Sequence, residues 1–83
     1  MSDDDEIEKK KNLLKLFLAG STLTKRELEI FVLLAQGKKN KVIAAEIHIS
    51  YYTVKNHRAS IYAKLSVKSK FDLWKIAQGL GLV

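Results

Sequence analysis

The chain has 83 residues with no Cys and no Pro, and its formal net charge is +6 at pH 7. Hydrophobic residues make up 47% of it, which is enough for one small core and too many for a disordered chain. The composition excludes disulfides and cysteine-based zinc sites. Because His48 and His57 have no carboxylate cluster beside them, we expect neither a metal nor another cofactor. No apolar run approaches the roughly 18 residues of a membrane span, so we expect a cytoplasmic protein.

The charge is unevenly distributed. Residues 1–8 hold five acids and no base, so residues 9–83 carry +11. Between Lys38 and Lys70 there are eight basic residues and one acid, Glu46. This balance suits a nucleic-acid backbone, but a solvated lysine-rich surface has the same composition, so composition alone leaves both interpretations open.

The first predicted segment covers residues 1–20, with a helix over about 3–19. Ser2 can cap it, and the acids of its first turn complement the positive helix end. Its apolar face is sparse, so it is an independent helix, a dimerising helix or a linker. The acidic run is most simply a helix start that aids solubility. We also hypothesise that the acidic residues 1–8 fold back over the basic residues 9–83 and compete with nucleic acid. Residues 21–83 form the second predicted unit, which is the main domain.

The second predicted helix covers residues 24–36 and opens with a capping box. Thr24 stands at the cap and Glu27 three residues later, which lets the two residues satisfy each other's backbone N–H groups. An apolar stripe predicts the face that enters the core. It consists of Ile30, Phe31, Leu34 and Ala35. Gly37 is expected to end the helix.

Residues 40–65 are typical of a helix-turn-helix. A short helix over 40–47 is followed by a tight connection and by a helix over 51–65 that Ser50 can cap. The small side chain of Ala44 permits a close helix crossing, while His48 stands where such turns often have Gly. With a last helix over 69–78, the predicted fold is all-α, a small helical bundle containing a helix-turn-helix.

The helix over 51–65 has two contrasting faces at 100° per residue. One is apolar and is formed by Val54, Ile61 and Leu65. The opposite face carries Tyr52, Lys55, Asn56, Ala59 and Ala63. An amide can pair with adenine, an ammonium group can donate to guanine, and a methyl group can touch thymine. The pattern therefore predicts a helix that reads the major groove of DNA, although a solvated helix face remains an alternative for its polar residues.

Other candidate DNA contacts flank this face. Thr53, His57 and Arg58 lie where phosphates would run, and Asn40 and Lys41 begin the preceding helix, whose free N–H groups attract phosphate. His57 lies between the two faces, so a packed structural role is equally open. Tyr51 and Tyr52 are adjacent aromatic residues that cannot both face the core, which favours a surface role for the pair.

These residues resemble a known family. Residues 23–30 and 35–37 are similar to the opening helix of the LuxR-type (GerE-like) DNA-binding domain, and the match extends over about residues 22–77. Further positions fall at the family's spacing. They are Asn40, Lys41, Ile43, Ala44, Ile49, Ser50, Thr53, Val54, Lys55, Asn56, His57, Lys64, Leu65, Val67, Lys68 and Ser69.

The resemblance implies a four-helix, sequence-specific transcription regulator at the nucleoid whose third helix enters the major groove. It implies a homodimer on double-stranded DNA, with contacts through Phe71, Trp74, Lys75 and Gln78. From its residues, Trp74 belongs to core or dimer packing, on one face with Leu73 and Ala77. Members are free-standing regulators or output domains of response regulators, and RNA polymerase is a possible further partner.

Three positions depart from the family pattern. Val42 stands where an acid is usual, so a common helix-pairing salt bridge is absent. Ser66 replaces the usual Gly after the reading helix, which costs stability if that residue is left-handed. Lys70 replaces an Arg and so weakens any bidentate carboxylate contact.

Other functions are less well supported by the residues. The main alternative is a protein-interaction module that docks the helix-turn-helix on RNA polymerase or another regulator, and this would favour an apolar or acidic face. A structural role would rest on assembly through the first segment. An enzyme is not expected, because no nucleophile–base pair or convergent acids are present, and no small-molecule ligand is expected within the chain.

Overall fold

The computed structural model describes residues 22–82, which form four helices and no strand. The helices are α1 (Lys25–Ala35), α2 (Asn40–Glu46), α3 (Tyr51–Leu65) and α4 (Lys70–Gly79). The all-α prediction is confirmed for this part of the chain, and every helix boundary lies within one residue of its predicted position. The predicted helix over residues 3–19, with the rest of segment 1–20, lies outside the described residues.

Three of the four helices begin with a side-chain cap. The Thr24 hydroxyl accepts a hydrogen bond from the Glu27 backbone N–H, and the Glu27 carboxylate accepts one from the Thr24 N–H, so the capping box is confirmed. Ser50 caps α3 and Ser69 caps α4 in the same manner. By contrast, α2 begins after Lys39, whose side chain makes no capping hydrogen bond. The first N–H groups of α2 are therefore not capped by the side chain of the residue before the helix.

A residue in the left-handed conformation follows every helix. The four residues are Gly37, His48, Ser66 and Gly81, with φ of 86°, 57°, 56° and 74°. At each end, a backbone N–H one residue further on donates back into the last turn, as Val67 N–H does to the Tyr62 carbonyl at 3.0 Å. Two of these residues, His48 and Ser66, carry a Cβ and bracket α3. Each costs about 1–2 kcal/mol in that conformation.

The core lies where α1 packs against the other three helices. The predicted stripe of α1 is buried, with Ile30 and Phe31 inaccessible to solvent. Ile43 of α2 and Val54 and Ile61 of α3 are likewise inaccessible, and Ala44 is 8% exposed. Since α2 and α3 pack through these residues and the chain turns at His48, the helix-turn-helix is confirmed as a helix pair packed on α1.

The prediction that Trp74 shares one face of the last helix with Leu73 and Ala77 is wrong, so dimer packing is the alternative that stays open for Trp74. Leu73 and Ala77 are 1% and 0% exposed, but Trp74 is 38% exposed. Residues four apart share a helix face, whereas the residue after Leu73 is rotated by about 100°. That rotation moves the indole from the buried side of α4 to its outer side.

None of the helices within residues 22–82 combines the length and apolarity needed to cross a membrane. In the same part of the chain, the histidines, aspartates and glutamates form no cluster that could hold a metal ion.

Candidate nucleic-acid interface

The exposed side of α3 is opposite to its buried side. Tyr52 is 73% exposed, and Lys55, Asn56 and Ala59 are also exposed. On the other side, Val54 and Ile61 are inaccessible. We call the exposed set of Tyr52, Lys55, Asn56 and Ala59 the reading stripe. Because buried residues anchor the helix, the stripe is presented on a fixed element and not on a loop.

Two adjoining surface grooves run beside the reading stripe. The first has a volume of about 300 Å³ and is lined by Asn40, Lys55, Arg58, Ala59 and Tyr62. The second has a volume of about 500 Å³, and we call it the basic groove. Its cationic lining comes from Lys39, Lys41, Arg58 and Lys70, and the rest from Asn40, Val42 and Tyr51. Asn40 and Arg58 belong to both grooves, so the two form one continuous depression.

The ion pairs within residues 22–82 leave most of this positive charge unneutralised. Lys38 binds Glu46 at 2.7 Å, and Lys64 binds Glu27 at 2.6 Å. Both pairs lie outside the grooves, and Glu46 is the only acid between Lys38 and Lys70. No carboxylate of the described residues lines either groove. The depression is therefore an anion-attracting surface.

Aromatic rings hold two of the groove cations. The Arg58 guanidinium lies 5.1 Å from the centre of the Tyr62 ring and donates to the Tyr62 hydroxyl at 3.4 Å. The Lys55 ammonium lies 5.9 Å from the centre of the Tyr51 ring. Such contacts restrict long side chains without neutralising their charge, so both cations remain able to bind an anion or a base edge.

Thr53 and His57 lie beside the stripe, each partly buried. The Thr53 hydroxyl is 2.8 Å from that of Ser50, and the Thr53 N–H donates to the same Ser50 oxygen. His57 lines neither groove. These two residues thus differ from Asn40, Lys41 and Arg58, which the fold brings together around one depression.

A buried carboxylate fixes the far half of α3 to α1. Glu27 is 4% exposed, and it accepts hydrogen bonds from Ser60 and Lys64 of α3, each at 2.6 Å, as well as from the Thr24 N–H. Burial by itself raises the pKa of this carboxyl. The hydrogen bonds from Lys64, Ser60 and Thr24, with the Lys64 charge, outweigh it and lower the pKa to about 2. Glu27 is therefore ionised at neutral pH and orients α3.

The outer side of α4 carries the four residues that the sequence assigned to dimerisation. Phe71 is 62% exposed, and its ring stacks on Trp74 with 5.9 Å between centres. The Lys75 ammonium lies 5.2 Å from the Phe71 ring, and Gln78 is exposed one turn further on. We call this set, Phe71, Trp74, Lys75 and Gln78, the α4 outer face. An exposed aromatic pair on a small domain is typical of an interaction surface.

The sequence did not predict four residues of the grooves. Lys39 and Tyr62 lie next to predicted residues along the chain or on the helix, so the pattern contained a weak signal for them. Val42 and Lys70 were noted only as departures from a family pattern. Lys70, the first residue of α4, lines the same groove as Lys39 and Lys41, and only the tertiary fold brings these residues together.

The fold and this surface define a class: a helix-turn-helix domain with an exposed polar stripe on its second helix and an unneutralised basic groove beside it. Comparison with known proteins identifies the family within that class. A sequence model of the family described as "Bacterial regulatory proteins, luxR family" (GerE) matches residues 21–79. The chain belongs to this family and is a DNA-binding domain of a transcription regulator, not an enzyme.

Several curated proteins are similar to the chain over this region. The spore germination protein GerE of Bacillus subtilis is 48% identical over 56 residues, which cover 68% of this chain and 76% of GerE. The transcriptional regulatory protein LiaR of Bacillus subtilis is 49% identical over 53 residues, or 64% of this chain and 25% of LiaR. The response regulatory protein YgeK of Escherichia coli is 42% identical over 66 residues, or 80% of this chain and 45% of YgeK. The chain thus spans a quarter to three quarters of these relatives.

Proposed function

We propose that the chain regulates transcription by inserting α3 into the major groove of specific double-stranded DNA sites. The observation that carries the proposal is the reading stripe. Its four side chains are exposed on one face of a helix whose opposite face is anchored by the inaccessible Val54 and Ile61, and the basic groove lies alongside. A helix held in this way can approach base edges while the neighbouring cations meet the phosphates.

Within the stripe, each residue type has a preferred partner. The Asn56 amide can donate to and accept from adenine, the Lys55 ammonium can donate to the acceptors of guanine, and Ala59 can touch a thymine methyl. Tyr52 is the most exposed aromatic residue within residues 22–82, and its hydroxyl can reach a base edge or a phosphate. A good bidentate contact to a base contributes about 1–3 kcal/mol of discrimination.

The remaining contacts position the protein on the backbone. Lys41 and Arg58 line the basic groove, with Asn40 and Tyr51 between them, and Thr53 offers a hydroxyl near the start of α3. We assign His57 both a structural role and a phosphate contact, since it is half-buried and lies beside the reading stripe, between the two faces of α3. These contacts raise affinity for any duplex and carry no sequence information.

We further propose that two copies bind DNA together through the α4 outer face. Phe71 and Trp74 expose a stacked aromatic surface on the side of α4 that the core does not use. A pair of identical surfaces can bury each other around a two-fold axis, which matches reading helices to repeated half-sites. We place such a regulator in the cytoplasm at the nucleoid, acting alone or as the output domain of a response regulator, with RNA polymerase as a further partner.

The test is selection of binding sites from random duplexes, followed by affinity measurement across salt concentrations. Asn56→Ala should lose preference at one base position, because one amide pairs with one base. Lys41→Ala should weaken all sequences about equally and lower the salt slope by about 1. Gln36→Ala removes an exposed amide just after α1, and Lys25→Ala removes an exposed ammonium at its start. These matched controls should leave the base preference and the salt slope unchanged.

Two outcomes would contradict the proposal. If Asn56→Ala weakens every selected and unselected duplex by the same factor, α3 does not read bases through that residue. If the wild-type chain enriches no sequence and binds a partner protein through α3 instead, the interaction-module alternative replaces DNA reading.

A further inference from the structure

Lys70 is far in sequence from the helix-turn-helix but shares its basic groove. It is the first residue of α4, yet its side chain lines the same depression as Lys39 and Lys41 from the start of α2 and Arg58 from α3. Four positive charges from three separate helices are therefore brought together on one surface. Such convergence is unfavourable without an anion, because like charges repel.

No carboxylate within residues 22–82 relieves that repulsion. The acid nearest to Lys70 in sequence is Asp72, whose carboxylate accepts from the Lys68 backbone N–H at 3.5 Å and is not part of the groove. Val42 occupies the groove wall with an apolar side chain that is 44% exposed. An acid at position 42 would place a carboxylate in the same groove as Lys70, whereas Val42 adds no charge there.

The shape of the depression indicates which anion it takes. The basic groove is open and continuous with the groove under Lys55 and Ala59, since Asn40 and Arg58 line both. An extended ligand that covers Lys55 and Ala59 can therefore continue along the four cations. A duplex is such a ligand, because its phosphate backbone borders the major groove in which its bases are read.

We propose that Lys70 binds a DNA phosphate beside the bases read by α3, and that Val42 keeps Lys70 free for this contact. The inference rests on the proposed major-groove binding. It adds α4 to the DNA-binding surface. The first residue of this helix contacts the DNA backbone, and the α4 outer face begins at the next residue, Phe71.

A scan of the selected duplex with neutral methylphosphonate linkages tests the contact directly. Replacing one phosphate at a time should reveal a position at which wild-type affinity falls and the Lys70→Gln variant is not weakened further. Across salt, Lys70→Gln should lower the slope of log affinity against log salt by about 0.9 per bound subunit. The wild-type advantage should then shrink by about 3.5-fold between 50 and 200 mM salt. Lys25→Gln removes the same charge from an exposed position on α1. It should neither abolish the effect of any single phosphate replacement nor lower the salt slope.

A second pair of variants tests the role of Val42. Val42→Glu should pair with Lys70, repel phosphate and lower the salt slope, while the neutral Val42→Gln, of similar size to Glu, should leave the slope unchanged. Val42 and Lys70 are both exposed, so their substitution should leave the fold intact, and circular dichroism of each variant checks this.

The inference is overturned if Lys70→Gln behaves as Lys25→Gln, or if Val42→Glu behaves as Val42→Gln, while the wild type still selects and binds a site. In that result the proposed function stands and only the Lys70 contact is lost. If the wild type selects no duplex at all, both the proposed function and this inference fail.

Discussion

Replacing Glu27 with Gln should remove the electrostatic anchor of the reading helix. The carboxylate is 4% exposed and is hydrogen-bonded to two elements, through the Thr24 N–H on one side and through Ser60 and Lys64 on the other. Its pKa is lowered from an ordinary 4.5 to about 2. Since each tenfold change in acidity corresponds to about 1.4 kcal/mol, the ionised form contributes about 3 kcal/mol to stability at neutral pH.

The sign of the pH dependence follows from the lowering of the Glu27 pKa in the folded state. The folded-state pKa lies below the unfolded one, so the unfolded chain takes up the proton first as the pH falls. The contribution of Glu27 is therefore complete above about pH 5 and is lost progressively as the pH falls through 4.5 towards 2. The difference in unfolding free energy between wild type and Glu27→Gln should shrink over the same interval.

Urea unfolding followed by circular dichroism at several pH values measures this difference. Subtracting the unfolding free energy of the variant from that of the wild type cancels the contribution of the other titrating acids, including those of residues 1–8. Glu29→Gln is the matched control. It breaks an exposed pair with Arg26 at 3.1 Å on the same helix and should cost at most about 1 kcal/mol.

The reasoning is refuted if Glu27→Gln loses no more stability than Glu29→Gln at pH 7, or if the wild-type difference does not change between pH 5 and pH 2. Should Glu27→Gln fail to fold, Ser60→Ala gives the same test in milder form. It removes one donor at 2.6 Å and should cost about 1–3 kcal/mol.

Three further predictions concern the surface and ends of α3 and α4. Ser66→Gly should raise stability by about 0.5–1 kcal/mol and the Tm by several degrees, because Gly adopts φ of 56° without steric cost, whereas Ser66→Ala should not. Tyr62→Leu should weaken DNA binding by about twofold to tenfold, because the ring beneath Arg58 is lost, and Tyr62→Phe should retain most of the affinity in the same assay. Phe71→Ser should raise the dimer dissociation constant at least about tenfold in sedimentation equilibrium, since its exposed ring would be buried in a dimer, while Tyr52→Ser should not.

Local rules were sufficient to predict the helices. Thr24 and Ser50 mark helix starts through hydrogen bonds that span only three residues, and the apolar stripes repeat with the helical period. The reading stripe followed from the same period, since the burial of Val54 determines which face of α3 is exposed. The fold of residues 22–82 and the central part of the surface were therefore predictable from the sequence.

Contacts between distant residues were not predictable in this way. Glu27 meets Ser60 and Lys64 across separations of 33 and 37 residues, and no local pattern relates them. Lys70 enters the basic groove because α4 packs against α1 in a position that brings Lys70 to the same depression as Lys39 and Lys41. Trp74 was misplaced because an apolar residue next to Leu73 was assigned to its face, although one residue rotates the side chain by about 100°.

The two faces of α3 are built from separate sets of residues, and this has an evolutionary consequence. Val54 and Ile61 hold the helix in the fold, while Tyr52, Asn56 and Ala59 make no contact that the core requires. Under the proposed function, substitutions in the exposed set therefore change which operator is bound at almost no cost in stability. A lineage carrying this domain can acquire new target genes by exchanging a few surface side chains while its scaffold stays constant.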